Sequence, residues 1–320
     1  MITGVAGMIG SHLLDELIKN HQYDITGVDN LSFGNMINIQ QHLDSERFTF
    51  YRSDILDMDT LKIISKDVDI IIHLAAVKKI GEADSSLPTL MVNNRGTENV
   101  LEVAKMWGAK LILASTSDVY GMSPDLPFKE DGDLLLGPSM INRWSYAVSK
   151  LYDEQLAFAY YKDYGLPIVV LRYFGGFSAR SSFQWSGGHI PIFIKAILEN
   201  REVPIHGDGT QSRSMAYISD IISGTVSSIE NSQAVGEIIN IGNHEEMSVI
   251  ESAKLIHRIA NTGHELKIKY IPFKEIFGDY KDIQRRIPDL QKAKSILNYS
   301  PKVSMEDAIK TVLDTIKKRG

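Results

Sequence analysis

The chain has 320 residues, 43% hydrophobic and 23% charged, which is ordinary globular usage and argues against disorder. A net charge of -6 with scattered Lys and Arg gives no electrostatic case for a nucleic-acid partner, and no apolar run reaches the roughly 18–20 residues that span a bilayer. Without cysteine there are no disulfides, thiolate metal sites or thiol nucleophiles, which fits a reducing, cytoplasmic setting.

Met1-Ile2-Thr3-Gly4 runs straight into a glycine motif, so no signal peptide is expected and the first strand is short: either the start lies upstream or the strand is trimmed. Gly4-Val5-Ala6-Gly7-Met8-Ile9-Gly10 follows that strand remnant and opens a helix. Glycines there permit a tight turn and let the backbone approach a pyrophosphate, which the helix N-terminus receives. The spacing is G-x-x-G-x-x-G, a weak signal by itself. Leu13, Leu14, Leu17 and Ile18 then mark one helix face.

Strands are predicted at Asp24–Asp29, Phe48–Arg52, Asp69–Ala75 and Lys110–Ser115, with Pro167–Phe174 and Glu237–Gly242 joining the same sheet. The run Asp69–Ala76 is apolar without alternation, as in a strand covered on both faces. Strands alternating with helical patterns predict an α/β fold, a Rossmann-type doubly wound parallel sheet. Residues 1–172 are expected to form the NAD-binding domain. Residues 173–320 would form a smaller, mostly helical α/β substrate domain, from which Glu237–Gly242 returns to the first.

Asp29 ends the second predicted strand nineteen residues after Gly10. An acid there accepts hydrogen bonds from the adenosine ribose and repels a 2′-phosphate, favouring NAD over NADP. Asp54 follows the third strand. It suits either the adenine amino group or the N-cap of a helix over Leu56–Ile64, and both readings stand.

Tyr146-Ala147-Val148-Ser149-Lys150 sets a phenol and an ammonium four residues apart on one helix face. It follows Ser115-Thr116-Ser117-Asp118-Val119-Tyr120-Gly121 at the C-terminal end of a predicted strand, the edge where parallel sheets bind ligands. Taking hydride from a carbon that bears a hydroxyl needs a base for the hydroxyl proton. A phenol with a pKa of about 10 is a poor one. A neighbouring Lys and a positive nicotinamide would lower it, and Thr116 can hydrogen-bond the same hydroxyl.

With these motifs the chain resembles the extended short-chain dehydrogenase/reductase family of sugar-nucleotide epimerases, dehydratases and decarboxylases. The likeness covers nearly the whole chain: GVAGMIG, VDNLSFGN at Val28–Asn35, HLAAVKKIGE at His73–Glu82, Asn93–Thr97, STSDVYG, YAVSK, LRYF, GDGTQSRSMAYISD at Gly207–Asp220 and QRRIPD at Gln284–Asp289. It implies Tyr146 as catalytic base, Lys150 as its partner on the nicotinamide ribose, Thr116 as hydroxyl orienter and Asp118 as a further catalytic candidate. Cofactor contacts are implied for Gly4, Gly7, Met8, Ile9, Gly10, Asp29, Asn30, Asp54, Ile55, Leu74, Ala75, Ala76, Lys78, Asn93 and Lys150. Lys78 falls where 4-epimerases place a lysine near the cofactor phosphates. Substrate contacts are implied for Ser117, Arg180, Arg213 and Arg286, the last two gripping the diphosphate of a UDP-sugar.

The family usually reads R-Y-F-N-V-Y-G-P-R where this chain has RYFGGFSAR at Arg172–Arg180, so an asparagine that contacts the diphosphate is replaced by Gly175. The following loop, Ser181–Gly188, carries Phe183 and Trp185. The nine histidines show no ligand spacing, and no metal is expected. Tyr160, Tyr161 and Tyr164 suit core packing or a helix-to-helix contact, and a homodimer through that helix and Thr97–Trp107 is implied by the resemblance. An intact Thr116–Tyr146–Lys150 set argues for an enzyme over a silent NAD-binding regulator. Ser117-Asp118 divides the reactions: UDP-hexose 4-epimerase is placed first, UDP-glucuronate decarboxylase second and 4,6-dehydratase third.

Overall fold

The structure is a computed structural model that describes residues 1–20, 22–79, 85–183, 188–277 and 282–319. Its β-branched runs form strands: β1 (Ile2–Thr3), β2 (Ile25–Val28), β3 (Phe48–Tyr51), β4 (Ile70–His73), β5 (Lys110–Thr116) and β6 (Ile168–Tyr173). Between them lie α1 (Met8–Leu17), α2 (Met58–Ile64), α3 (Leu87–Trp107) and α4 (Ser145–Tyr164). The second half supplies β7 (Gly176–Phe177), α5 (His189–Leu198), β8 (Val203–His206), β9 (Ser212–Ser214), β10 (Ala216–Tyr217), α6 (Ile218–Ile229), β11 (Glu237–Ile241), β12 (Glu246–Ser248) and α7 (Val249–Ala260). It ends with β13 (Ile268–Ile271), α8 (Phe273–Phe277), β14 (Arg285–Arg286), α9 (Gln291–Leu297) and α10 (Met305–Arg319).

Seven strands form one parallel sheet in the order β11-β6-β5-β4-β1-β2-β3. This is the expected Rossmann-type sheet, and β11 returns to its edge as predicted. The strands are a residue or two shorter than their apolar runs at most ends, whereas β5 reaches Thr116. The chain winds outward through β2 and β3, then returns to start β4 on the other side of β1. The crevice beyond the C-terminal ends of β1 and β4 is therefore the switch point where such sheets bind ligands.

Strand alternation divides the sheet between two layers. Ile112, Ala114, Val169 and Leu171 pack with Leu13, Leu14 and Leu17 of α1, and with Ile221 and Ile222 of α6. Leu111, Leu113, Ile168 and Val170 face Val100, Leu101 and Ala104 of α3 and Ala157 of α4. Fully burying a side chain of this size is worth about 1.5–3 kcal/mol. A separate core joins Phe177, Phe193 and Ile194 to Ile256, Ile309 and Val312 beneath α5, α7 and α10. Helices α6 and α9, late in the chain, pack on the first core through Ile218, Ile221 and Leu297.

One helix start differs from expectation. Helix α2 begins at Met58 and is capped by Asp57, which accepts from the Thr60 N–H at 3.1 Å. Asp54 is therefore not the N-cap. Its carboxylate accepts from the Leu56 N–H at 2.9 Å and from the Asn30 amide at 2.7 Å.

Candidate active site

Gly4 leaves β1 with φ of +74°, a left-handed conformation that favours glycine. A Cβ there would stand 2.8 Å from the backbone nitrogen of Ala75, so the exits of β1 and β4 touch. Beneath the turn, a Cβ on Gly10 would come within 2.7 Å of Val5 Cα. Helix α1 starts after Gly7 with no side-chain cap, which leaves the N–H groups of its first turn to an anion.

Two hollows meet at this turn. The first, about 420 Å³, is lined by Met8, Ile9, Gly10, Thr116, Ser117, Asp118, Tyr146, Lys150 and Arg213, among others. The second, about 340 Å³, is lined by Asp29, Asn30, Ile55 and Ala75, among others. Gly4, Gly7, Leu74 and Ala76 line both. The groove thus leads from Asp29 past a helix N-terminus to the Tyr–Lys pair, and its residues fit a dinucleotide. Asp29 is fixed by accepting from the backbone N–H groups of Ala6 at 2.9 Å and Leu31 at 2.8 Å. Burial raises its pKa against the pull of those two bonds.

Asp118 is the electrostatic centre of the first hollow. It lies in a short turn (Ser117–Tyr120) after β5, 1% exposed. Arg286 meets it at 2.7 Å, Arg143 at 2.9 Å and Lys78 at 3.2 Å. Burial opposes its ionisation, but Lys78, Arg286 and Arg143 outweigh burial and hold the carboxyl well below its ordinary range. It is an anion at neutral pH. Thr116 sits beside it, its hydroxyl accepting from the Asp118 N–H at 3.2 Å.

Tyr146 and Lys150 share one face of α4 and both line the first hollow. Burial drives the phenol well above its ordinary pKa, with further pushes from Asp118 and Asp153. The lowering expected from Lys150 is therefore outweighed in the chain alone. The Lys150 ammonium is instead engaged by Asp153 at 3.4 Å.

Several implied residues lie elsewhere. The Lys78 ammonium is on Asp118 and 5.1 Å from the Tyr146 ring centre, in the first hollow. Arg286 is paired with the same carboxylate and lines the first hollow. Arg213, its register partner on the neighbouring strand, bonds Asp282 at 2.9 Å and the carbonyls of Ser212 and Ile283 at 2.8 Å. Arg180 lines neither hollow and is held by Asp15 of α1 at 2.7 Å. Asn93 is buried as a staple: it accepts from the Val77 N–H at 2.7 Å and donates to Ser149 at 2.9 Å. Asp54 reaches the groove only through Asn30. Trp185 and the Ile80-Gly81-Glu82 end of the HLAAVKKIGE motif lie outside the described residues.

The sequence reading missed three residues. Arg143 precedes the Tyr146 helix and holds Asp118 from behind. Asp153 stands three residues after Lys150, a same-face spacing that could have revealed it. His189 enters the first hollow from α5, its pKa pulled down to about 3 by burial and Arg213. Among the described residues no group of three His, Asp or Glu is placed to hold a metal, and no helix is long and apolar enough to cross a membrane.

A Rossmann sheet with Asp29 at its glycine turn and Tyr146–Lys150 at its binding edge defines the class, an extended short-chain dehydrogenase/reductase. Within that class the chain belongs to the GDP-mannose 4,6-dehydratase family, whose model matches residues 1–312. It is 35% identical to a UDP-N-acetyl-α-D-glucosaminuronate decarboxylase of Bacillus cytotoxicus, over 98% of this chain and 96% of that one. It is also 35% identical to a UDP-glucuronate 4-epimerase of Thermodesulfobacterium geofontis, over 99% and 95% respectively. A crystal structure of UDP-glucuronic acid 4-epimerase from Bacillus cereus, in complex with UDP-glucuronic acid and NAD, superposes with a TM-score of 0.88; that protein is 34% identical, with 100% of this chain and 99% of the other covered. The chain is an NAD-dependent enzyme that modifies a sugar nucleotide.

Proposed function

We propose that the chain is a 4-epimerase of a UDP-hexuronic acid. The observation that carries this reading is that Lys78 and Arg286, both lining the hollow beside Tyr146, converge on the single carboxylate of Asp118. Arg286 Nε is buried with no hydrogen-bond partner among the described residues. A sugar carboxylate supplies the acceptor that Arg286 Nε lacks and gives Lys78 and Arg286 a second carboxylate. This refines the expected UDP-hexose 4-epimerase by adding a C6 carboxylate.

Bound NAD supplies the hydride acceptor and donor. Tyr146 Oη takes the C4 hydroxyl proton as hydride leaves C4, and returns it when hydride comes back to the opposite face. Thr116 orients that hydroxyl, and Lys150 favours the phenolate against the burial that raises it. A 4-keto uronate is a β-keto acid, and it loses CO₂ when its carboxylate charge flows toward the C4 oxygen. Cations on the carboxylate stabilise the charge where it starts, so they favour retention. Decarboxylation is the second reading, supported by the Bacillus cytotoxicus relative.

Residues up to about 172 hold NAD in this account, and the later ones complete the sugar-nucleotide site. The enzyme is placed in the cytoplasm as a homodimer, with α3 and α4 meeting their copies through exposed Leu87, Met91, Tyr152 and Tyr164. Incubation with NAD and UDP-glucuronate, read by NMR and mass, tests the reaction. UDP-galacturonate of unchanged mass supports epimerisation. Release of CO₂ transfers the reading to decarboxylation.

A further inference from the structure

The surroundings of Tyr146 oppose its ionisation. Burial and the carboxylates of Asp118 and Asp153 all push its phenol upward. Lys150, four residues on, is the cation expected to counter them, yet its ammonium is held by Asp153 at 3.4 Å. A charge already paired with a carboxylate stabilises a phenolate less than an unpaired one does. Lys78, in the loop after β4, supplies a second cation. Its Nζ stands over the face of the Tyr146 ring, 5.1 Å from the centroid, and both residues line the first hollow. An ammonium is drawn to the negative face of an aromatic ring. The attraction grows when the ring itself carries a negative charge, so the same contact favours the phenolate over the phenol.

Asp118 fixes Lys78 in that place. Its two oxygens are divided between partners. Oδ1 accepts from Arg286 at 2.7 Å and from Arg143 at 2.9 Å. Oδ2 faces the Lys78 ammonium at 3.2 Å and accepts from the Thr116 hydroxyl at 3.4 Å. The two guanidinium groups hold the carboxylate through one oxygen and leave the other to Lys78 and Thr116. One oxygen atom thus sets both of these side chains in the hollow that Tyr146 lines. Three cations around one carboxylate leave the cluster positive, although Asp118 alone works against the phenolate.

We propose that Lys78 is a positioning residue for Tyr146: held over the ring by Asp118, it stabilises the phenolate alongside Lys150. This role is separate from the one Lys78 has toward a sugar carboxylate. It rests on Tyr146 being the base, and not on which sugar is turned over. The charged and titratable groups that face Tyr146 are Lys78 from the loop after β4, Asp118 from the turn after β5, and Lys150 and Asp153 of its own helix. Tyr173 of β6, His189 of α5, Arg213 of β9 and Arg286 of β14 complete the titratable lining of the hollow. Arg143 stands behind Asp118.

The test is ¹³C NMR of the NAD-loaded enzyme labelled at tyrosine Cζ, with the Tyr146 signal assigned by its loss in Tyr146→Phe. No sugar nucleotide is present, so the result is independent of the substrate. In the wild type the Tyr146 signal should pass from phenol to phenolate below the ordinary value of about 10. In Lys78→Met the midpoint should rise by about one pH unit or more. An opposite charge at this range is worth about 1–3 pH units, and Lys78, 34% exposed, sits at the low end. Loss of the ammonium also uncovers Asp118, which pushes the same way. Lys78→Arg keeps a cation and should recover most of the difference. Arg143 and Arg286 still neutralise Asp118 in both variants, so the ion cluster persists. If Lys78 serves only to bind the sugar nucleotide, Lys78→Met raises KM and leaves the Tyr146 midpoint where it was. That result, or a wild-type signal still phenolic at about pH 10, would overturn the proposal. The wild-type titration decides by itself whether the phenolate is stabilised, so a poorly folded variant leaves the test standing.

Discussion

Arg286 and Asp118, 168 residues apart in the chain, meet at 2.7 Å beside Tyr146. The contact joins the last small strand of the second half to the turn that ends β5. Residues from both halves of the chain thus line the hollow beside Tyr146.

Removing the Asp118 charge should leave buried cations around a neutral amide. Breaking a buried ion pair from one side costs about 3–5 kcal/mol. Asp118→Asn should lose stability on that scale at pH 7 by chemical denaturation, and UDP-glucuronate should restore part of it. The folded pKa lies below the ordinary 3.8, so this stability is present above 3.8 and is lost only as pH falls through the depressed folded value. A variant as stable as the wild type would show that the cluster contributes nothing.

Tyr146→Phe keeps the ring and removes the proton acceptor. Turnover should fall about 10²–10⁴-fold, while sugar-nucleotide affinity measured by calorimetry stays within error. Near-wild-type turnover would place the base elsewhere.

NAD should bind at least about tenfold more tightly than NADP, because a 2′-phosphate would face the Asp29 carboxylate. Titrating both cofactors into one preparation checks this. Equal affinities would remove Asp29 from the ribose site.

Burial holds His73 neutral down to about 3, against an ordinary value of 6.5, with the Lys150 charge assisting. Between those values the unfolded chain takes up a proton that the folded chain refuses. The wild type should therefore lose stability relative to His73→Gln as pH falls from 6.5, by about 1.4 kcal/mol per unit. Urea melts of both proteins at two pH values measure it. A stability gap that does not change with pH would mean His73 is protonated or accessible.

What was legible in the sequence was local. The glycine turn, Asp29 at a strand end and the four-residue Tyr146–Lys150 spacing all depend on neighbours in the chain, and the structure places them together along one groove. Contacts set by tertiary approach were not legible. Nothing near Arg286 announces a carboxylate 168 positions earlier, and nothing near Lys78 shows that its ammonium turns toward Asp118 and Tyr146. Arg180 reads like a substrate ligand until the fold sets Asp15 of α1 beside it. Asp153 was readable by spacing, but a helical acid three residues from a lysine is ordinarily a solvated pair, and only burial distinguishes this one.

The central claim is that Lys78 and Arg286 select a carboxylated sugar. It is tested most directly by kcat/KM for UDP-glucuronate against UDP-glucose, in the wild type and in Arg286→Ala. One charge-assisted contact is worth about 1.5–3 kcal/mol. The wild type should prefer UDP-glucuronate by about 10² or more, and Arg286→Ala should cut that preference at least about tenfold while sparing UDP-glucose. Equal use of the two substrates, or a preference untouched by Arg286→Ala, would contradict the account.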